Sequence, residues 1–589
     1  MQRSLTSLLL VFLLCRCASK HQPALFEPYL PSQPEEVLSS GQLTEIADLE
    51  SRPSLEPLEK KRLFDLYQIE LKNLKSSSKR AVEVADKVKQ LRPDIELLLD
   101  EVTGLGEPAE EPGNDKNEKL IFSNKELRQR YKTAYQAWNQ DENVKALDGV
   151  EHILQSEELN KSTSSSEWLR VLNLRFRIAF DLKDFARLKE AYSALKSHSD
   201  CSLESAQAGF LMALLMFTQG AGEAAKTLFL EQCDPDSSVS NKTRRAYWLF
   251  RFSADGSSEQ GKYYDELMAS PLPGYYSYLA LSKNGEEWKL PSTPNYVPRM
   301  IEVSSDVNSL ISKAEERLRY GLRKDAVKFL LAAKSRLKKD SSENVQGLLY
   351  ISRLFQSAGN HLESMKILTS LLLGDEQNEA ISNQESLSEY IKLFHQPFRN
   401  EVEWYGKMWA VDPDFVFSIM RQESAFNPGA VSKAGAKGFM QLMPNLAKFL
   451  LEQWKMPKPS TSGYLFRGKE NIRLATYHLN QLGHLVPHPA LVAASYNAGI
   501  NRVNSWWKRS GHYPLDVFVE FIPINETRNY VKLVLRNYLY YKGIRNEGKV
   551  PRNLISLDLP TAPVSSAASE LEANAEYRGD KEGQKVPKP

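Results

Sequence analysis

One carboxylate is placed for chemistry by its surroundings: Glu423, in the run DPDFVFSIMRQESAFNPGAVSKAGAKGFMQLMP from Asp412 to Pro444. Asp412 followed by Pro413 predicts a helix start, because the Asp side chain accepts from orphan amides and proline has no amide to lose at the first helical position. Phe415, Ile419 and Glu423 recur every four residues with Val416 and Met420 alongside, so the carboxylate prolongs an apolar stripe. A carboxyl at the end of such a stripe is poorly solvated when ionised. Its protonated form is favoured, which suits a general acid near neutral pH. On periodicity alone a glutamate that snorkels to solvent is the commoner outcome, so the assignment depends on neighbouring residues.

The opening helix should run to about Phe426, stopped by Asn427-Pro428-Gly429. Its companion face, Asp414, Ser418, Arg421 and Gln422, reads as solvated or supporting. Gly435 and Gly438 then predict turns or a small hairpin where backbone approaches a ligand closely. Helix restarts at Pro444, returns with Ile472, Ala475, Leu479 and Leu482, and again from Leu491 to Tyr496, ending in Asn497-Ala498-Gly499. Tyr496 and Asn497 pair a stacking face with an amide, a combination suited to sugar; a core phenol is an equal alternative for the tyrosine.

The 589 residues are too many for one core. A formal net charge of +2, from 76 basic and 74 acidic side chains, argues against a nucleic-acid binder with a large electrostatic footprint. No Cys/His cluster has zinc spacing and no phosphate loop or EF-hand pattern occurs, so neither a metal nor a cofactor is expected. Residues 1–19, with Arg3, an apolar run from Leu8 to Leu14 and small residues at 17–19, have the layout of an export signal. Cys15 and Cys17 raise the alternative of a processed, lipid-bearing cysteine, which the preceding Leu14 and Arg16 match poorly. Cys201 and Cys233 remain; pairing in an oxidising compartment and two separately buried thiols stay equally open.

Residues 20–54 read as a loosely ordered lead-in, and helical periodicity starts near Leu55. An α-superhelical domain is expected over 55–290, interrupted by an acidic loop near 103–118. Leu169, Leu172, Phe176 and Ala179, a polar turn at 181–184, then Phe185, Leu188, Tyr192 and Leu195 predict a helical hairpin whose two stripes must bury each other. Similar pairs surround turns at Gly220, Gly256, Gly321 and Gly359, giving a degenerate, tetratricopeptide-like array. The aromatic stretch from Tyr247 to Tyr278 reads as core. A helical linker domain follows over 291–397, a C-terminal globule over 398–548, and a disordered tail over 549–589.

RQES-AFNP from Arg421, S-KAGAKGFMQLMP from Ser432, the NI…YHL segment from Asn471, SYNAG-INRV from Ser495 and FVEFIPINETRNYV from Phe518 occur in order. Together they resemble the bacterial soluble lytic transglycosylases. The resemblance implies a mainly α chain, a superhelix of helical hairpins ahead of a goose-type-lysozyme-like α+β domain. It also implies cleavage of the bond between N-acetylmuramic acid and N-acetylglucosamine in peptidoglycan, leaving 1,6-anhydro ends, in the periplasm or cell envelope. By position, Glu423 matches the family's single acid/base, Ser432 a serine beside the substrate N-acetyl group, and Gln441 and Met443 the cleft floor. Tyr496 and Asn497 match the pair facing the reacting sugar, and Glu520, with Glu526 as alternative, an additional cleft carboxylate. Lys433, Leu446 and Ala475 depart from the residues usual there. The partners implied are glycan strands and, through the array, other cell-wall enzymes. A hydrolytic muramidase and a noncatalytic glycan-binding scaffold remain the rival readings.

Overall fold

Helices form wherever the three-and-four spacing recurs, and short polar turns set them in pairs. The computed structural model describes residues 40–91, 122–290, 303–372 and 390–562, with short interruptions of which the longest are 74–79 and 454–462. The signal-like segment with Cys15 and Cys17, the acidic stretch, the boundary near residue 291 and everything beyond residue 562 lie outside the described residues. Two units divide the chain, Met1–Glu101 and Val102–Pro589.

In the first unit α1 (Ser40–Ser51) packs on α2 (Pro57–Asn73). Helix α1 falls inside the segment whose composition predicts a loose lead-in. Ile46 and Leu49 bury against Leu63, Leu66 and Tyr67, so packing outweighs the polar composition there.

The second unit opens with α3 (Lys125–Asn139) and α4 (Asn143–Leu154), then the short α5 (Glu157–Ser162). The predicted hairpin is α6 (Ser165–Leu182) with α7 (Phe185–His198). Ser164 and Glu167 form a capping box at its start, and Asp184 caps α7 through the Arg187 amide at 3.1 Å. Its stripes bury as expected, except that Leu169 is only partly buried and Phe185 is 39% exposed. Further pairs are α8 (Leu203–Thr218) with α9 (Gly222–Leu230), and α10 (Val239–Phe252) with α11 (Ser258–Met268), followed by α12 (Tyr275–Lys283). Then come α13 (Ser305–Arg319) with α14 (Arg323–Arg336), and α15 (Ser342–Ser357) with α16 (His361–Leu372). Cys201 and Cys233 are joined as a disulfide, Cα to Cα 5.3 Å, tying the turn before α8 to the end of α9. Tyr247, Trp248, Tyr263, Tyr275, Tyr276 and Tyr278 are buried, in keeping with the core reading.

The C-terminal domain comprises α17 (Arg399–Met408), α18 (Pro413–Ser424), α19 (Pro444–Gln453), α20 (Gly468–Leu485), α21 (Pro489–Ala498), α22 (Ile500–Ser510), α23 (Leu515–Phe521) and α24 (Asn525–Arg545). Helix α24 packs on α18 and α21 and reaches back to α12 of the array. Among the described residues, β-structure in this domain is limited to the isolated bridges Val431–Lys437 and Lys437–Leu442.

Residues 549–562 correct the expectation of a disordered tail. Val550 and Ile555 are buried, the Leu515 amide donates to Leu557 O at 2.8 Å, and Trp507 Nε1 donates to Pro560 O at 2.9 Å. The Tyr278 hydroxyl donates to Arg552 O at 2.8 Å. The apolar residues Val550, Leu554, Ile555, Leu557 and Leu559 give this strap a buried face that its Pro- and Ser-rich composition obscures.

Candidate active site

Helix α18 starts as its sequence dictates: Asp412 Oδ1 accepts the Asp414 amide at 3.0 Å and Pro413 occupies the first turn. It ends at Ser424, two residues before the predicted stop, because Ala425 (φ 49°) and Phe426 (φ 64°) turn left-handed. Gln441, in the facing loop, is left-handed too (φ 47°). Such conformations cost roughly 1–2 kcal/mol for residues with a Cβ, and they gather at functional sites. Here they bracket Glu423. Of the face read as solvated or supporting, Asp414 and Ser418 are 0% and Arg421 4% exposed, so the supporting alternative holds for these three, while Gln422 is half-buried. Asp414 is gripped by Arg545 Nε at 2.8 Å and Lys542 at 3.2 Å, both from α24, which makes α18 a helix buried on nearly every side.

Glu423 is partly buried, and its Oε1 accepts the Tyr530 hydroxyl from α24 at 2.6 Å. Burial pushes its carboxyl up to about 7; the Tyr530 hydrogen bond opposes the shift, and the negative charge of Glu526 adds to it. Tyr496 lies close enough for the Glu423 charge to raise its phenol, after the larger effect of burial. The Tyr496 hydroxyl donates to Met440 O at 2.7 Å, fixing the ring at the end of α21.

The loop between α18 and α19 is wired internally. Ser432 Oγ accepts the Ala436 amide at 3.0 Å, and Gln441 Nε2 donates to Gly438 O at 2.8 Å and Ala430 O at 3.1 Å. Asn471 of α20 clamps the loop from behind: its Oδ1 accepts the Met440 amide at 2.8 Å while its Nδ2 donates to Lys437 O and Leu465 O, each at 2.9 Å. Gly438 has φ 78°, and a Cβ there would strike Leu465 O and the Asn471 amide, so this glycine permits a close backbone approach. Met443 is 40% exposed beside these groups, and Asn497 Oδ1 accepts the Thr527 hydroxyl at 2.6 Å. Glu423, Ser432, Gln441, Met443, Tyr496 and Asn497 thus share one region built from α18, the loop, α21 and α24.

Glu520 does not join them. It is 0% exposed, its carboxylate meets Lys532 at 2.7 Å, and it accepts the Tyr276 hydroxyl from the array. Burial pushes its pKa up, but the charges of Lys532, Arg244 and Arg528 overcome this and leave it at about 2. A carboxylate sealed in such a cluster cannot touch a glycan. It ties the catalytic-side helices to the array instead, as does Asp516 through Tyr247 (2.7 Å) and Arg251 (3.1 Å). Glu526, the alternative, is exposed and acts electrostatically on Glu423.

The profile of the transglycosylase SLT domain matches residues 402–518. The C-terminal domain belongs to the transglycosylase SLT family. Among curated proteins the chain is similar to a putative soluble lytic murein transglycosylase of Haemophilus influenzae, 30% identical over 322 residues, covering 52% of this chain and 50% of that one. It is also similar to the soluble lytic murein transglycosylase of Escherichia coli K12, 37% identical over 134 residues, covering 22% and 21%. The chain therefore spans about half the length, or less, of these relatives. Among solved structures, the lytic transglycosylase Slt of Pseudomonas aeruginosa shares the fold with a TM-score of 0.54 at 20% identity, over 88% of this chain and 81% of that chain.

Within the C-terminal domain, sequence reasoning passed over Tyr530 and Asn471. Both lie inside motifs that were legible, the ETRNYV and NI…YHL segments, but a hydroxyl that meets a carboxylate 107 residues away leaves no periodic signal. His478, from the same segment as Asn471, sets its ring 5.7 Å from that of Tyr496.

Proposed function

We propose that this chain is a peptidoglycan lytic transglycosylase that cleaves the β-1,4 bond between N-acetylmuramic acid and N-acetylglucosamine, with Glu423 as acid and then base. The observation that carries the reading is the Glu423 carboxyl, raised to about 7 and steadied through one oxygen by Tyr530. Protonated Glu423 gives its proton to the glycosidic oxygen, and the C1–O bond breaks as positive charge gathers on the muramoyl ring. The substrate's own acetamido group supports that centre. Ionised Glu423, now favoured by the Tyr530 donor, takes the proton of the sugar's 6-hydroxyl as that oxygen bonds to C1. The acid is regenerated and a 1,6-anhydro end forms without net uptake of water. An internal nucleophile has a high effective concentration, so no water need be positioned.

Ser432, Gln441, Met443, Tyr496 and Asn497 line the subsites in this reading, and Glu526 replaces Glu520 as the cleft carboxylate. Residues 1–19 export the chain to the periplasm or cell envelope, where the array and the globule act on glycan strands. Among the described residues no helix is long and apolar enough to cross a membrane. A hydrolytic muramidase is the second reading, favoured by the field of Glu526 on Glu423. A binding-only scaffold has no use for a carboxyl raised to the pH of an acid catalyst. Purified peptidoglycan treated with wild type and Glu423→Gln tests the proposal: solubilisation by wild type and none by the variant is expected, and equal release by both would refute it.

A further inference from the structure

A cavity of about 280 Å³ lies in the seam between the array and the C-terminal domain. The end of α6 supplies Asp181 and its cap Lys183, α8 supplies Leu215, and the end of α22 supplies Lys508, Arg509 and Ser510. Tyr513 and Phe521, on and before α23, close it. None of these residues belongs to the Glu423 region. Helix α22 begins just after Asn497-Ala498-Gly499, and its 11 residues rise about 16 Å before the chain reaches the cavity.

The floor is apolar and aromatic. Phe180 meets Phe521 edge-on at 4.8 Å between ring centroids, Phe521 meets Tyr513 at 5.3 Å, and Leu215 of the same wall is buried. The rim is cationic: Lys183, Lys508 and Arg509 stand against the single carboxylate of Asp181. Asp181 Oδ2 already accepts from Arg509 Nη1 at 2.6 Å and from Trp138 Nε1 at 2.7 Å. Lys183 and Lys508 form no ion pair among the described residues, and Lys183 Nζ lies 5.7 Å from the Tyr513 ring centroid. Lysines at a helix C-terminus answer the helix dipole, a role that needs no cavity. Here the C-termini of α6 and α22 converge on one aromatic concavity, and Lys183 is left-handed (φ 55°), where glycine is the usual cap. The surplus charge is felt at His512 on the same wall, whose imidazole is pushed down by burial and then by Lys183.

We propose that this seam cavity binds a small amphiphilic anion, one carboxylate or phosphate group on an aromatic or branched apolar body. The body packs on Tyr513 and Phe521, and the acid group meets Lys508 and Lys183, whose charges a neutral ligand would leave uncompensated. The volume, at the small end of ligand pockets, suits a single ring with its acid group. An occupant touches the array through Lys183 and Leu215 and the C-terminal domain through Lys508 and Tyr513, so it bridges the two. The site stands independently of the glycan-cleaving reading.

Calorimetry of the full chain with phenylacetate, phenyl phosphate, neutral phenylacetamide and inorganic phosphate tests this in wild type, Lys508→Glu and Ser510→Trp. Wild type is expected to bind at least one aromatic anion about tenfold more tightly than phenylacetamide or inorganic phosphate, the scale of one charge-assisted hydrogen bond. Preference for phenylacetate assigns the site to carboxylates, preference for phenyl phosphate assigns it to phosphate esters, and equal binding of both supports the shared chemistry. Lys508→Glu reverses a rim charge, whereas Ser510→Trp keeps every cation and fills the cavity, so a comparable loss in both does not arise from net charge alone. Far-UV circular dichroism checks that each variant is folded, and if one fails to fold the other decides. Three results overturn the proposal: no binding of either aromatic anion, binding no tighter than that of phenylacetamide or inorganic phosphate, and binding undiminished in a folded variant.

Discussion

Glu423→Gln exchanges an ionisable carboxyl for a neutral side chain of nearly the same shape, and the amide oxygen of Gln can still accept the Tyr530 hydroxyl. The fold holds the Glu423 carboxyl at about 7, above its ordinary 4.5. The protonated form is the one the native state prefers. Its contribution is therefore complete below about pH 4.5 and is lost as the pH rises through about 7, an interval worth ~3 kcal/mol. Gln never ionises and suffers no such loss. The variant should match wild type near pH 4 and exceed it by roughly 2–3 kcal/mol above pH 8. Urea or thermal unfolding of both proteins from pH 4 to 8.5, followed by tryptophan fluorescence, reads the difference. Array and C-terminal domain need not unfold together, so the comparison at each pH is the usable quantity. Parallel stability curves across the whole range would refute the claim that burial holds this carboxyl protonated.

Tyr530→Phe removes the donor that favours ionised Glu423, so the carboxyl rises further. The alkaline limb of the kcat profile should move to higher pH while kcat falls, by roughly tenfold for a charge-assisted hydrogen bond; an unmoved limb contradicts this. Lys532→Met leaves Glu520 buried without its nearest cation and should destabilise the protein by roughly 3–5 kcal/mol, measured by denaturant midpoint at pH 7, whereas a surface pair would cost under about 1 kcal/mol. Truncation after Gly548 strips the strap from Tyr278, Leu515 and Trp507. A lowered melting temperature and exposed apolar surface, seen as increased dye binding, are expected; an unchanged melt would mean the strap holds nothing.

Local signals carried the start of the site. The Asp412-Pro413 cap and the four-residue spacing to Glu423 depend on neighbours within one helix, and the structure keeps both. What the spacing could not convey was the environment of the opposite face. Asp414 is polar by type and reads as solvated or supporting without a partner to decide between the two; its partners Lys542 and Arg545 arrive from a helix about 130 residues later. Glu520 failed for the same reason: its neighbours include Tyr276, 244 residues earlier, and only the packed array brings that hydroxyl to it. The early end of α18 was hidden as well, since alanine and phenylalanine carry no sequence mark of a left-handed backbone. In the tail, Pro and Ser between the apolar positions of 549–562 masked a strap that is held mainly by backbone carbonyls and a few buried side chains.

The most direct measurement is mass spectrometry of the fragments released from purified sacculi in ¹⁸O-labelled water. The expected products are 1,6-anhydromuramoyl ends free of the label, formed by wild type and absent with Glu423→Gln. Reducing ends carrying ¹⁸O would contradict the internal closure by the 6-hydroxyl and place a water molecule, activated beside Glu423, in its stead.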